Sequence, residues 1–194
     1  VEQFRDHNCD AFKVSLAAGT AEVIAEELKP RTTAYSEIWL EDDQGNRRDV
    51  TEFTPVDEPI YGSRYLPRKF KSGVALPEDN CVDILTYDLG LLGIVESGSL
   101  VGYNVFVGGG QGVTPAAKKT FPALSQPLGF VEADEVLAVA TAVVGVQRDH
   151  GNRSDRKIAR LKYLIHNWGI ERFREEVESY YGKSLDVARD VEVT

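Results

Sequence analysis

Three basic side chains, Arg68, Lys69 and Lys71, stand within four residues in the stretch YLPRKFK at residues 65–71. Cations packed this closely form a candidate anion site. Pro67 lacks an N–H donor and is confined to strand starts or edges, so residues 69–76 are expected to form a strand opening just behind it. Alternation along that strand would send Lys69 and Lys71 to one face, about 6 to 7 Å apart, and Arg68 and Phe70 to the other. Two ammonium groups on one face repel unless an anion lies between them. The same residues could equally serve as a solvated basic edge that discourages sheet-to-sheet aggregation.

Two other segments share the theme. Gly108, Gly109 and Gly110 close a β-rich run, followed by Gln111, and their missing side chains would let the backbone approach a flat or bulky ligand. They match neither the dinucleotide nor the P-loop spacing, and a plain flexible turn is the competing reading. Between residues 148 and 162 lie Arg148, Arg153, Arg156, Lys157, Arg160 and Lys162 against only Asp149 and Asp155. If residues 155–168 form one helix, Ile158, Leu161, Leu164 and Ile165 take its core face and Arg156 and Arg160 stack one turn apart on the other. The start of that helix, at Asn152 to Arg156, would offer a second anion-binding corner through free backbone N–H groups and the positive dipole end.

The chain as a whole is acidic. Its 194 residues carry a formal net charge of −9, which argues against nucleic acid or an anionic membrane surface as partner and limits any bound anion to a small one. Cys9 and Cys81 are the only cysteines, too far apart for a CxxC pair, so no metal site is expected and a reduced, cytoplasmic setting is the default. His7, His150 and His166 have no metal-ligand spacing and are read as structural or exposed, and no Ser-His-Asp context or GxSxG elbow is present. No apolar run reaches the length needed to span a bilayer. The chain has no methionine and is expected to be a fragment or processed piece.

The elements that must position these residues follow from periodicity. Residues 14–29 have apolar positions at helical spacing and stop at Pro30. Residues 33–40 alternate as a strand, and residues 41–59 form a variable region in which 41–48 read as a polar loop or hairpin tip. Residues 82–85 are a short strand candidate, and 89–95 pair with 100–107 across a turn at Gly98. The helix at 134–148 is apolar nearly all round and is expected to be buried on the sheet, with the 89–107 hairpin at the sheet's centre. Helices at 155–168 and 170–181 each end at a glycine suited to a left-handed C-cap. The expected fold is one α+β domain over residues 1–194, with a mainly antiparallel sheet within 64–107 covered by helices.

At this point the strings become specific. YLPRKFK (65–71), LVGYNVFVGGG (100–110), KKT (118–120) and QRDHGNRSDRK (147–157), with PRTTAYSEIWL (30–40) and DEPIYG (57–62) in order, resemble the first sirohaem-binding repeat of the sulfite reductase haemoproteins. The resemblance runs along essentially the whole chain. It implies an α+β domain, two pseudo-repeats cradling a sirohaem coupled to a [4Fe-4S] cluster, and six-electron reduction of sulfite to sulfide. By position it implies that Lys69 and Lys71 face the substrate. It likewise implies that Arg68, Gly108, Gly109, Gly110, Gln111, Arg148, Asn152, Arg153, Arg156 and Lys157 line or hold the macrocycle, whose eight carboxylates call for such cations. Related nitrite reductases carry an asparagine where Lys71 stands, so the resemblance favours sulfite. A ferredoxin-dependent nitrite reductase domain and a non-catalytic anion- or tetrapyrrole-binding module are the alternatives.

The resemblance also implies what lies elsewhere. The family's cluster cysteines belong to the second repeat, and neither Cys9 nor Cys81 falls in their motif. The chain alone is therefore expected to bind no cluster or sirohaem and to be catalytically silent. Its expected partners are sulfite, the remaining domains of the same haemoprotein, and an electron-donating flavoprotein subunit or ferredoxin.

Overall fold

The computed structural model describes residues 11–31, 39–49 and 58–191, with side chains left undescribed at 11–16, 39 and 49. The expected strand at 33–40 therefore lies outside the described residues except at its end, as do His7, Cys9 and residues 50–57 of the variable region. The described elements run α1 (Ala11–Glu27), β1 (Trp39–Glu41), β2 (Arg47–Asp49), β3 (Ser72–Ala75), β4 (Leu89–Glu96), β5 (Ser99–Val107), β6 (Gln126–Glu132), α2 (Val136–His150), α3 (Leu161–Trp168) and α4 (Ile170–Tyr181). The polar loop expected at 41–48 is the tip of the small antiparallel hairpin of β1 and β2.

The main sheet has the order β3-β4-β5-β6. β4 and β5 form its centre, as the hairpin reading required, and Ser97 and Gly98 turn the chain with positive φ at both positions, 51° and 77°. Two successive positive φ values match the right-handed twist of the flanking strands, which is why a glycine stands there. The sheet is antiparallel except where β3 runs parallel to β4. Three sequence expectations are corrected. The strand expected at 69–76 begins only at Ser72; residues 82–85 hold a short 3-10 turn, Ile84–Thr86, where a strand was expected; and β6 has no counterpart in the sequence reading. Pro127 and Gly129 interrupt β6's pattern, and its register against β5 slips between Val105 and Phe106, so the period-2 signal is weak there.

Strand alternation builds a core on each face of the sheet. Leu89, Leu91, Tyr103, Val105, Val107 and Leu128 face the larger core, where α2 contributes Val139, Ala140, Val143, Val144 and Val146, each at most 1% exposed. Burial of α2 on the sheet was expected from its all-round apolar character. On the other face Leu92 packs with Ala75 and Ile84, covered by Val82, Leu85, Phe106 and Val191. α1 buries a narrower stripe than its alanines suggested: Ile24 and Leu28 are buried, whereas Ala21 and Ala25 are exposed. The Tyr61 hydroxyl donates to the Leu28 carbonyl and Thr20 shares a hydrogen bond with the Tyr103 hydroxyl, fastening α1 to the core.

The helix expected at 155–168 is broken. Residues Arg156–Ile158 make one 3-10 turn, Arg160 is extended at φ −77° and ψ 158°, and α3 starts only at Leu161. Arg156 and Arg160 therefore do not stack on one helix face. Of the two glycine C-caps, Gly182 is left-handed (φ 83°, ψ 6°), whereas Gly169 has φ 82° with an extended ψ of 158° because it passes directly into α4.

Val143 is fully buried where α2 meets the sheet, and truncating it to alanine removes two methyl groups from a close-packed site. Val143→Ala should lower unfolding free energy by about 2 kcal/mol in urea titrations. A change within about 0.5 kcal/mol would mean that this interface is loosely packed.

Candidate anion-binding face

The segment from Ile60 to Lys71 has little regular structure, and arginines hold it in place. Arg153 donates through one terminal nitrogen to the carbonyls of Arg64 (2.9 Å), Tyr65 (2.6 Å) and Arg148 (2.8 Å). Arg148 donates to the Ile60 carbonyl and pairs with Asp149, its Nε 2.8 Å from Oδ1. The Tyr61 and Tyr65 rings stack at 5.8 Å. A Cβ on Gly151 would come within 2.7 Å of Pro67, so this glycine lets the end of α2 and the proline approach.

The result is an open basin of about 1180 Å³ lined by Ser63, Arg64, Tyr65, Leu66, Pro67, Arg68, Lys69, Arg153 and Arg156. No acid is among the lining residues. The side chains of Arg64, Arg68, Lys69 and Arg156 have no hydrogen-bond or ion-pair partner among the described residues, so the positive charge of the basin is left uncompensated. A smaller cavity of about 360 Å³ adjoins it, sharing Tyr65, Leu66, Arg68 and Lys69, with an apolar wall from Ile24, Leu28, Phe70 and Val144.

The structure separates the site residues expected from sequence into groups. Arg68, Lys69, Arg153 and Arg156 meet in the basin. Although residues 68–71 precede the strand, they keep its alternation: Lys69 and Lys71 are exposed, Arg68 and Phe70 half-buried. Lys71 lies beside the basin and not among its lining residues, with its own backbone N–H donated to Asp88 at 3.0 Å. Lys157 is exposed, and Arg148 is committed to Asp149 and the Ile60 carbonyl. Gln111 is exposed, its amide 3.3 Å from the Ala123 carbonyl.

The glycines are occupied by the chain itself. Gly108 to Gly110 are buried, and a Cβ on Gly109 would sit 2.4 Å from the Leu85 carbonyl and 2.6 Å from that of Tyr87. A Cβ on Gly108 would likewise meet the Ile165 side chain at 2.8 Å and one on Gly110 the Arg160 guanidinium at 2.5 Å, so all three glycines are packed against the chain's own residues. The second anion corner is also corrected. The Asn152 side chain accepts from the backbone N–H groups of Ser154 and Asp155 at 2.9 and 3.0 Å, and Asp155 accepts from that of Lys157 at 2.9 Å. Those donors are already capped, and the three-residue 3-10 turn behind them carries little dipole.

Two participants, Arg64 and Asp88, escaped the sequence reading, and a third, Lys162, was visible there only as part of the basic excess. Arg64 stands four residues before Arg68 and lines the basin with it; the spacing was visible, but the intervening irregular backbone gave no face to assign. Asp88, fully buried, takes a two-point ion pair from Arg160, Nη2 to Oδ2 at 2.8 Å and Nε to Oδ1 at 3.2 Å. Lys162, 2% exposed, donates to the carbonyls of Gly110, Gly112 and Phe121 and thereby shapes the loop after the glycines. Burial pulls its ammonium below the ordinary lysine value. No group of three or more His, Cys, Asp or Glu able to hold a metal occurs among the described residues, and Cys81 is a free, exposed thiol. His150 lies 3.3 Å from Glu176 and against the Trp168 ring, and His166 against Phe121. No described helix is long and apolar enough to cross a membrane.

Chemically, such a face can bind a molecule with several carboxylates along the basin and present ammonium donors to a small oxyanion. Residues 19–185 match the family described as nitrite and sulphite reductase 4Fe-4S domain. The chain is 49% identical over 172 residues to the sulfite reductase [NADPH] hemoprotein beta-component of Geobacillus kaustophilus, an alignment covering 87% of this chain and 29% of that protein. Its counterpart in Shewanella woodyi is 47% identical over 171 residues, covering 88% and 29%. The chain thus spans about 29% of the length of these relatives. The structure of Mycobacterium tuberculosis NirA protein superposes with a TM-score of 0.56 at 35% identity, covering 66% of this chain and 22% of that one.

The acids beside the basin set its pH response. Arg148 holds the Asp149 carboxyl below the usual carboxylate range, helped by the Tyr180 hydroxyl at 2.9 Å, and Lys119 does the same for Asp155. Partial burial and the facing Asp149 push Tyr180 up to about 12. Depressed carboxylate values mean stability that is complete above the unfolded value, about pH 4, and lost as pH falls through the folded one. Burial pushes Asp88 up, with Arg160 pulling it back, so Asp88 acts in the opposite sense and blunts the acid loss. Thermal midpoints should therefore fall from about pH 5 downward, and Asp149→Asn should flatten that fall while lowering the midpoint at neutral pH. An equally steep acid loss in Asp149→Asn would show that its ion pair contributes nothing.

Proposed function

The chain belongs to the nitrite and sulphite reductase 4Fe-4S domain family, and from that premise we propose that it is the first sirohaem-binding domain of a sulfite reductase haemoprotein. One observation carries the reading: four cations without partners among the described residues line one basin of a chain whose net charge is −9. A polycarboxylate macrocycle fits that donor set. Arg68, Arg153 and Arg156, with Arg64 beside them, would hold its carboxylates, while Tyr65, Leu66 and Pro67 supply apolar wall. When bound, the sirohaem and its associated [4Fe-4S] cluster would relay electrons from an external donor for the six-electron reduction of sulfite to sulfide.

The chain's own contribution is positional and electrostatic. Lys69 and Lys71 are exposed, on alternate residues, and their ammonium groups stabilise the negative charge of the oxyanion and donate protons as oxygen leaves as water. By the family resemblance the cluster cysteines belong to the second repeat, so the cluster ligands would come from outside this domain. The relatives' naming points to NADPH as the source of reducing equivalents; the family resemblance would have them delivered by a flavoprotein subunit or a ferredoxin, in a cytoplasmic setting. The nitrite-reducing alternative is disfavoured by the cation at position 71, where the family resemblance places asparagine in nitrite reductases.

In the complete enzyme, Lys71→Asn removes a charged donor and should lower kcat/KM for sulfite about ten- to a hundred-fold, corresponding to roughly 1.5–3 kcal/mol. Nitrite carries one charge where sulfite at higher pH carries two, so its reduction should suffer less, and sirohaem content should stay normal. Arg156→Gln should instead lower sirohaem content, read by absorbance per protein. Unchanged sulfite kinetics in Lys71→Asn together with full sirohaem in Arg156→Gln would refute the reading.

A further inference from the structure

We propose that Asp88 is a positioning residue for Lys71, acting through the Lys71 backbone, and that Arg160 orients it for that task. The inference rests on Lys71 facing the substrate, as proposed above. Lys71 immediately precedes β3, whose parallel ladder with β4 begins at the pair Ser72 and Leu89. Its carbonyl accepts from the Leu89 N–H at 3.0 Å, and its N–H is met by the Asp88 side chain, Oδ2 at 3.0 Å. Consecutive residues, 88 and 89, thus grip both polar groups of the Lys71 backbone.

Asp88 is itself tightly constrained. It is fully buried, and Arg160 forks onto both of its oxygens while donating to the Gly109 carbonyl at 3.1 Å. The Asp88 carbonyl accepts from Gly108 at 2.9 Å, and that of Tyr87 from Gly109 at 2.7 Å. The Asp88 carboxylate thus joins Lys71 to Arg160 before α3, while Arg160 and the carbonyls of residues 87 and 88 hold the glycine run to the same point. A buried ion pair is weak evidence for stability as such, because apolar groups of similar volume often serve as well. What an apolar pair could not do is accept the Lys71 N–H. With no exposed surface, Asp88 cannot touch substrate, so any influence on the reaction runs through what it holds.

The decisive test is a double-mutant cycle in the complete haemoprotein, with Asp88→Asn and Arg160→Lys made alone and combined with Lys71→Asn. In the wild-type background each should reduce kcat/KM for sulfite about tenfold, the scale of a misplaced reacting group, mainly through KM and with sirohaem content unchanged. In the Lys71→Asn background the loss should vanish, because the side chain being positioned is gone. Equal losses in both backgrounds overturn the proposal and leave Asp88 a general scaffold residue. Arg160→Lys keeps the charge without the fork and carries the test if Asp88→Asn does not fold. A second readout needs no cofactor: hydrogen exchange at the Lys71 amide of this chain should quicken about tenfold or more in Arg160→Lys, and unchanged exchange also overturns the proposal. Failure of the underlying reading looks different, since Lys71→Asn alone would then be silent towards sulfite while the amide still exchanges faster; that result removes the positioning role with it.

Discussion

The basic face depends on cations hydrogen-bonded to main-chain carbonyls. Arg153 joins the Arg64, Tyr65 and Arg148 carbonyls, Arg148 reaches that of Ile60, and Lys162 gathers those of Gly110, Gly112 and Phe121. A carbonyl satisfies a donor with a dipole and adds no net negative charge. Arginine and lysine therefore do two things at once: they fasten irregular segments that lack a sheet or helix ladder, and they leave their positive charge in place. Had Arg153 been satisfied by a carboxylate, the loop would be held as well and the field over the basin would be weaker.

Most of the acids whose partners are described sit away from the basin lining. Glu135 pairs with Lys183, Glu41 with Arg47, and Glu96 with Arg189. These pairs are substantially exposed, so each adds little to stability. Their effect is on the distribution of charge: a chain of net charge −9 keeps a patch without acids by pairing carboxylates elsewhere with lysines and arginines that are not needed there. Asp88 is the exception. It lies inside, and its charge is matched by Arg160, so it fixes geometry near Lys71 with little cost to the potential outside.

What could be read from sequence was whatever has a period or a signature. Val139, Val143 and Val144 announced α2's burial, and Gly98 between two apolar runs announced the central hairpin. The cluster Arg68, Lys69 and Lys71 was visible as composition alone, and Arg153 and Arg156 as a local excess of charge. Tertiary exchange of partners was not legible. Nothing local distinguishes Arg153, whose guanidinium holds the backbone 88 residues away, from Arg156, which faces open solvent in the basin. Helical spacing made Arg156 and Arg160 look equivalent, yet the ion pair with Asp88, 72 residues away, accompanies an extended Arg160 and a helix that starts one residue later. The glycine triplet shows the same limit, since absent side chains look identical whether a ligand or the chain's own Ile165, residues 85–87 and Arg160 must fit against them.

Unneutralised charge has an energetic consequence. Arg64, Arg68, Lys69 and Arg156 repel one another across a shared basin, and water and salt moderate that repulsion over a distance of about 8 Å at physiological ionic strength. The protein tolerates it because the cations hang from backbone pinned independently by Arg153, Arg148 and the packing of Gly151 on Pro67. A polyanion entering the basin would relieve the repulsion and could form charge-assisted hydrogen bonds with that backbone already in place, so its binding would favour the folded chain by mass action. On the proposed reading, a large, multiply charged ligand would engage several of these cations at once, with Lys69 and Lys71 left for the small oxyanion.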